Sequence, residues 1–283
     1  MSATEGDLTL REVPGPSALG GGWRRSLELL YLFAVTEFKK TYFGTVLGYA
    51  WSLARPLMLF AVLVTVFTQI FHLGKVPHYP VLLLMNIVLF GFFQEATLIA
   101  VGSVVGQEAI VRKTQFPRLV IPLAVVLTAL FNLLLNLVVV FIFILASGVT
   151  PTWTWLLFPI VIALLIGITT AVSMIVASLY PRFRDLAIIW TVFSTVLFYA
   201  TPILYTVGNL IGHPTLRRII LLNPLAPIFE LARKWIIQPS APSPAVAAGG
   251  YAQLLAPIAI YVGVCVLAVW IFGREAPRIA EEL

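Results

Sequence analysis

The sequence predicts an all-α integral membrane protein with six transmembrane helices, and three observations predict it. Of the 283 residues, 60% are hydrophobic and only 11% are charged, more apolar side chain than one soluble core of this length buries. Apolar segments long enough to cross a hydrocarbon layer of about 30 Å as a helix recur six times. The basic residues behind the net charge of +6 gather at the ends of those segments instead of in one dense patch. That is how membrane proteins distribute them, and it argues against a nucleic-acid partner.

In chain order, residues 1–22 carry Glu5, Asp7, Arg11 and Glu12 and then a Pro/Gly-rich stretch. The apolar core of a secretory signal is missing, so a retained, disordered cytoplasmic tail is expected. Across residues 23–45, Leu27, Tyr31, Ala34, Phe38 and Tyr42 recur at helical spacing, with Glu28, Lys39 and Lys40 off the stripe. This pattern predicts an amphipathic helix along the cytoplasmic interface, bedded in lipid or against the other helices. The six apolar segments then run over 51–71, 81–105, 120–146, 155–179, 186–205 and 251–272. With both termini cytoplasmic, Arg11, Arg24, Arg25, Lys39, Lys40, Arg55, Arg112, Lys113, Arg118, Arg182, Arg184, Arg274 and Arg278 lie inside. Lys75, Arg217, Arg218, Arg233 and Lys234 lie outside, and this excess of inner cations sets the orientation. Between the fifth and sixth spans, two apolar pieces, 216–222 and 225–237, flank Asn223-Pro224 and are each too short to span. They predict an external re-entrant helical hairpin turning at Asn223 and Pro224. The Pro/Ala/Ser-rich run 239–250 reads as an external linker.

Several function classes drop out. Cys265 is the sole cysteine, which excludes an internal disulfide and a redox pair. No G-x-x-x-x-G-K-[ST] phosphate loop exists, and the one Gly-Lys pair, Gly74-Lys75, falls in an outer loop, so the chain is not its own ATPase. The only aspartates are Asp7 and Asp185, too few for a metal-dependent transferase. His72, His78 and His213 lack the helical spacing and nearby carboxylates of a ligand set, so no metal site is expected. Glu95 is essentially the one ionisable group deep in the apolar spans, and a charge there needs a partner or a water-filled path. The absence of an internal repeat weakens an inverted-repeat secondary transporter.

Four blocks resemble a known family. Lys39-Lys40-Thr41-Tyr42-Phe43-Gly44-Thr45-Val46-Leu47-Gly48-Tyr49-Ala50-Trp51 with Arg55-Pro56-Leu57 is similar to the pattern at the entrance of type-2 ABC exporter permeases for polysaccharides. Val111-Arg112-Lys113-Thr114-Gln115-Phe116-Pro117 with Pro122 resembles their Phe-Pro block in the first cytoplasmic loop. Tyr180-Pro181-Arg182-Phe183-Arg184-Asp185-Leu186 and Thr201-Pro202-Ile203-Leu204-Tyr205 resemble the segments bracketing their fifth helix, and Leu222-Asn223-Pro224-Leu225 the turn of their external hairpin. The resemblance covers roughly 23–273, leaving tails at 1–22 and 274–283. It implies a homodimer of permeases in the inner membrane, working with two cytoplasmic nucleotide-binding subunits that hold ATP and Mg, and no cofactor in this chain. The cargo it implies is a polyprenyl-pyrophosphate-linked polysaccharide such as a teichoic acid, an O-antigen or a wall galactan.

Force from an ATPase partner must enter through inner loops. The candidates are Glu108, Arg112, Lys113, Phe116 and Pro117 in 106–119, and Arg182, Arg184 and Asp185 in 180–185. Arg182, Arg184 and Asp185 equally suit a local salt bridge. Arg24, Arg25, Lys39, Lys40 and Arg55 suit a substrate pyrophosphate at the inner interface, and suit ordinary anionic membrane lipids as well. Tyr42, Tyr49, Trp51, Phe60, Trp190, Phe198 and Tyr199, with Glu95, are candidates to line the channel, against the plainer roles of interfacial anchoring and helix packing. The competing readings are an ATP-independent or proton-coupled flippase or secondary transporter, and a non-transport scaffold. Co-purification with a nucleotide-binding subunit separates them from the exporter.

Overall fold

A computed structural model of the chain describes residues 23–42, 50–70, 77–108, 118–210 and 214–275. Every regular element among them is helical. They are α1 (Trp23–Tyr42), α2 (Ala50–Thr65, continued by a wider turn to Ile70), α3 (Tyr79–Gly106), α4 (Val120–Ala146) and α5 (Phe158–Leu179, entered through a tight turn at Trp153–Leu157). Then follow α6 (Leu186–Ala200), α7 (Pro214–Leu222), α8 (Leu225–Ala232, continued by a wider turn to Ile237), α9 (Pro244–Ala248) and α10 (Tyr251–Glu275).

Among the described residues, five stretches are long and apolar enough to cross a membrane: Ala50–Ile70, Tyr79–Gly106, Val120–Ala146, Trp153–Leu179 and Tyr251–Glu275. The segment expected as a span over 186–205 is shorter as a helix. α6 has 15 residues, about 22 Å at 1.5 Å per residue. It stops because Thr201 precedes Pro202: the proline ring disfavours helical geometry at the residue before it, and Thr201 is extended at φ −90°, ψ 143°. Residues 201–205 form turns instead.

The centre is α3, apolar around most of its surface and buried along most of its length, as a helix without a continuous polar face must be. Leu83, Leu84, Met85, Leu89, Phe90 and Phe93 sit in one core with residues of α4 and α5. Leu225, Ile228 and Phe229 of α8 belong to the same core. Phe141 of α4 meets Trp155 and Phe158 at the start of α5, with ring centroids 5.3 and 5.5 Å apart. At the opposite end Ala100 and Val101 of α3 and Val176 of α5 cluster, with Tyr180, Leu186 and Trp190 against them. The helices therefore alternate in direction from α2 to α6. One end collects Arg118, Arg182, Arg184 and Arg274; the other carries α7, α8 and α9.

α1 lies against α4. Ala34 is fully buried, Tyr31 and Phe38 meet the Phe131 ring edge-on at 6.5 and 6.1 Å, and Thr128 Oγ1 donates to the Ala34 carbonyl (3.1 Å). Glu28, Lys39 and Lys40 face out. The amphipathic stripe thus uses its middle for helix packing.

The run 239–250 corrects the expectation of a linker. It contains α9, in which Pro244, Ala245, Ala247 and Ala248 are buried. Ser243 Oγ accepts from the Val246 N–H (3.4 Å) at its start, and Gly249 ends it at φ 94°, the left-handed conformation that costs glycine least. Arg217 of α7 donates to the carbonyls of Val246 (2.9 Å) and Ala247, pinning the segment down. Small side chains that look like linker composition here allow close packing.

Candidate functional site

A cavity of about 330 Å³ opens between α2, α3, α4 and the end of α6. Its polar wall is built by helix periodicity. Asn132 and Asn136, four residues apart on α4, share one face and are both buried. Asn136 Nδ2 donates to the carbonyl (2.9 Å) and Oδ1 (3.0 Å) of Asn132. Asn132 Nδ2 in turn donates to Glu95 Oε2 at 2.7 Å. The three side chains form a directed chain ending on the carboxyl group, and in a low-dielectric interior each bond of such a chain strengthens the next. Glu95 stands sixteen residues past Tyr79 and eleven before Gly106, about 24 Å and 16 Å along the helix from its two ends. Gln94 turns toward α6, where its Nε2 makes a long contact to Ser194 Oγ (3.5 Å). From α2 the cavity receives Trp51, Ser52 and Arg55, and from α6 Phe198.

The end carrying α7 and α8 is tied by side chains. The turn after α6 leaves carbonyls that no helix satisfies. Tyr79 Oη donates to Leu204 O (2.7 Å), and Asn86 Nδ2 donates to Pro202 O and Ile203 O (3.3 Å each). Asn86 lies seven residues into α3, about 10 Å along its axis, so the turn sits well below the tip of α3. At Asn223-Pro224, Asn223 Nδ2 donates to Thr201 Oγ1 (2.8 Å) while its Oδ1 accepts from the Leu225 N–H (3.0 Å). The break between α7 and α8 therefore meets the end of α6. Glu230 and Arg233, both buried, pair at 3.3 Å. Glu230 Oε1 also accepts from the Val207 N–H (3.0 Å), and Gln238 Oε1 accepts from Arg233 Nε (3.1 Å) and Nη2 (2.7 Å). Trp155 Nε1 and Thr154 Oγ1 of the turn before α5 donate to the carbonyls of Ile236 and Trp235.

At the other end, 180–185 forms an exposed turn. Arg182 lies over the Phe183 ring (5.4 Å) and Arg184 over the Tyr180 ring (5.3 Å), and Phe183 and Asp185 project outward. The Asp185 carbonyl accepts from the N–H groups of Ile188 and Ile189, opening α6.

The structure brings Trp51, Arg55, Glu95 and Phe198 into one cavity and separates other candidates from it. Phe60 meets Phe143 edge-on at 6.4 Å, and Trp190 packs between Phe93 and Phe193. Tyr199 is exposed beside Phe198. Lys39 and Lys40 face out from the last turn of α1, Lys40 beside Glu37 at 3.8 Å. Glu108 follows the end of α3. Tyr49, Arg112, Lys113, Phe116 and Pro117 lie outside the described residues, as do the side chains of Arg24, Arg25 and Tyr42. Sequence reasoning missed Tyr79, Asn86, Asn132, Asn136, Glu230 and Arg233 as organising residues. Two amides at i, i+4 in an apolar span were a legible signal for a polar face; Tyr79 and Asn86 act across more than a hundred residues and had none.

Comparison with known proteins bears on the whole bundle. A family model described as ABC-2 type transporter matches residues 28–237. The chain is similar to the O-antigen export system permease protein RfbA of Myxococcus xanthus, 29% identical over 197 residues, covering 70% of this chain and 75% of that protein. It is also similar to an O-antigen export system permease protein RfbA of Klebsiella pneumoniae, 30% identical over 200 residues, with 70% and 76% covered.

Proposed function

Because this chain belongs to the ABC-2 type transporter family and is a multi-pass inner-membrane protein, we propose that it is the permease half of an ATP-driven exporter. The exporter moves a polyprenyl-pyrophosphate-linked polysaccharide, of the kind named for its O-antigen relatives, from the cytoplasmic side outward. Two copies form the membrane unit from residues 23–273, with 1–22 and 274–283 as cytoplasmic tails. Two separate nucleotide-binding subunits hold ATP and Mg and push on the inner loops.

The observation that carries this reading is α2. With its continuation to Ile70 it is long and apolar enough to span, yet none of its residues is buried, and it turns Ser52 and Arg55 toward the polar cavity. Arg55 is exposed at the open side of that cavity, and an ionisable group in a span faces protein or water rather than lipid, which supports a second wall there, supplied by a second copy. α6, with Ser194 as its one buried residue, is the fifth span in chain order and brings their number to six. It is completed at the outer leaflet by the hairpin turning at Asn223 and Pro224; the side-chain bonds that cover the 201–205 carbonyls support this, because irregular backbone at membrane depth must be satisfied by protein. The gathering of Arg118, Arg182, Arg184 and Arg274 at one end supports a cytoplasmic placement for that end. Arg182, Arg184 and Asp185, with Glu108 and the neighbouring Arg112, Lys113, Phe116 and Pro117, are the docking set for the ATPase. Arg24, Arg25, Lys39, Lys40 and Arg55 receive the pyrophosphate.

Two measurements test the assignment. An affinity-tagged chain is expected to bring down a nucleotide-binding subunit, and its depletion to accumulate lipid-linked glycan on the cytoplasmic face. Full translocation by the permease alone, without any ATPase, overturns the proposal. The hydrogen-bonded carboxyl of Glu95 favours one second reading, a proton-coupled carrier. Transport that stops when the proton gradient is collapsed at constant ATP would move the assignment there.

A further inference from the structure

We propose that the cavity at Glu95 is a sugar subsite inside the membrane, in which the Glu95 carboxyl and the amides around it exchange hydrogen bonds with the hydroxyls of one sugar residue of the passing glycan. This rests on the exporter reading and adds to it a place and a chemistry of recognition.

The donor and acceptor set decides the class of ligand. Among the described residues the lining holds one carboxyl group, Glu95, and one guanidinium, Arg55. A metal or organic cation entering would meet Arg55, and Glu95 would keep a pyrophosphate held at the exposed Arg55 from passing into the interior of the cavity. Around these two lie Ser52, Gln94 and Asn136, groups that both give and take hydrogen bonds. A neutral ligand dense in hydroxyls, each a donor and an acceptor, fits such a mixed wall. The Asn136–Asn132–Glu95 chain holds the carboxyl in one orientation, which lowers the ordering cost of binding. The volume, about 330 Å³, lies at the small end of the roughly 300–1,000 Å³ of ligand sites, enough for one or two sugar rings and too little for a lipid chain. Trp51 and Phe198 supply apolar ring faces at its edge. Location adds the need for the site. A sugar residue there stands about 16 Å along α3 from its nearer end, and each hydroxyl that the site strips of water must find a protein partner or cost free energy.

The test uses the exporter purified with its ATPase subunits in lipid nanodiscs. Two radiolabelled probes are bound separately: the glycan chain released by mild acid from the cell's own lipid-linked material, and polyprenyl pyrophosphate carrying no sugar. Glu95→Gln keeps the shape and removes the charge, and is expected to weaken the released glycan about tenfold to a hundredfold while the sugar-free lipid binds within twofold of wild type. Gly91→Leu is the second variant. Gly91 lines the cavity, and a Cβ there meets nothing within 4 Å; leucine also favours helix over glycine. It is expected to fill the space and abolish glycan binding with thermal stability unchanged or raised. Wild-type-like glycan binding in either variant overturns the subsite, as does equal weakening of both probes. A wild-type complex that binds the sugar-free lipid and not the glycan overturns the subsite alone. One that binds neither overturns the exporter reading with it.

Discussion

The turns and short helices from Thr201 to Ala248 and the long helix α2 solve opposite problems in the same solvent. The first region is irregular and heavily bonded: Tyr79, Asn86, Asn223, Glu230 and Arg233 all serve backbone or charge that lipid would leave unsatisfied. α2 is regular, and no residue of it is buried. A helix satisfies its own backbone and so survives against hydrocarbon with no partner, whereas a broken chain at membrane depth survives only inside a shell of donors and acceptors. Stability is therefore concentrated at one end of the molecule, and freedom to change partners along one side of it.

Breaking that contrast should cost most at the buried ion pair. Glu230→Leu leaves Arg233 buried without its carboxylate, and a loss of about 3–5 kcal/mol is expected, read as a large fall in the melting temperature of the detergent-solubilised protein. A melting temperature within a degree or two of wild type would show that the pair contributes little. Next comes Asn86→Leu, which strips the donor from the Pro202 and Ile203 carbonyls. About 1–3 kcal/mol is expected, with faster proteolysis between Thr201 and Asn223 as the local signature. The smallest effect belongs to α2. Val62→Ala at an exposed site should move the stability of the isolated subunit by no more than about 0.5 kcal/mol. A larger loss in a dilute, monomeric preparation would mean that Val62, and not only the inner face of α2 at Phe60, packs within its own subunit.

Much of this was legible in the chain. The apolar runs announced membrane helices, and the Asn223-Pro224 pair marked the break between α7 and α8, because Asn and Pro act on the backbone within one or two residues. Thr201-Pro202 was an equally local signal that α6 ends at Ala200, but the apolar run continues through Tyr205 and composition masked it. The run 239–250 misled for the converse reason: Ala, Pro and Ser suit a free linker and a close-packed segment alike, and Arg217 decides between them from a distance of some thirty residues. Of the candidate site, Glu95 stands out in the sequence as a lone acid in an apolar span and is grouped with Trp51 and Phe198 as a channel-lining candidate, while Arg55 is named for the pyrophosphate. That Arg55, Asn132 and Asn136 share one cavity with them was not predictable.

By itself the sequence determined that the protein is helical, that it belongs in a bilayer, and where the chain breaks between α7 and α8. Each of these depends on the solvent preference of a whole segment or on the backbone chemistry of adjacent residues. Which polar side chains meet was decided only by tertiary structure: Asn132 reaching Glu95, Asn86 covering the carbonyls after α6, Arg217 gripping α9. Inside an apolar bundle a polar group takes whichever partner helix packing brings within about 3 Å, and packing is set by the shapes of all the apolar side chains at once.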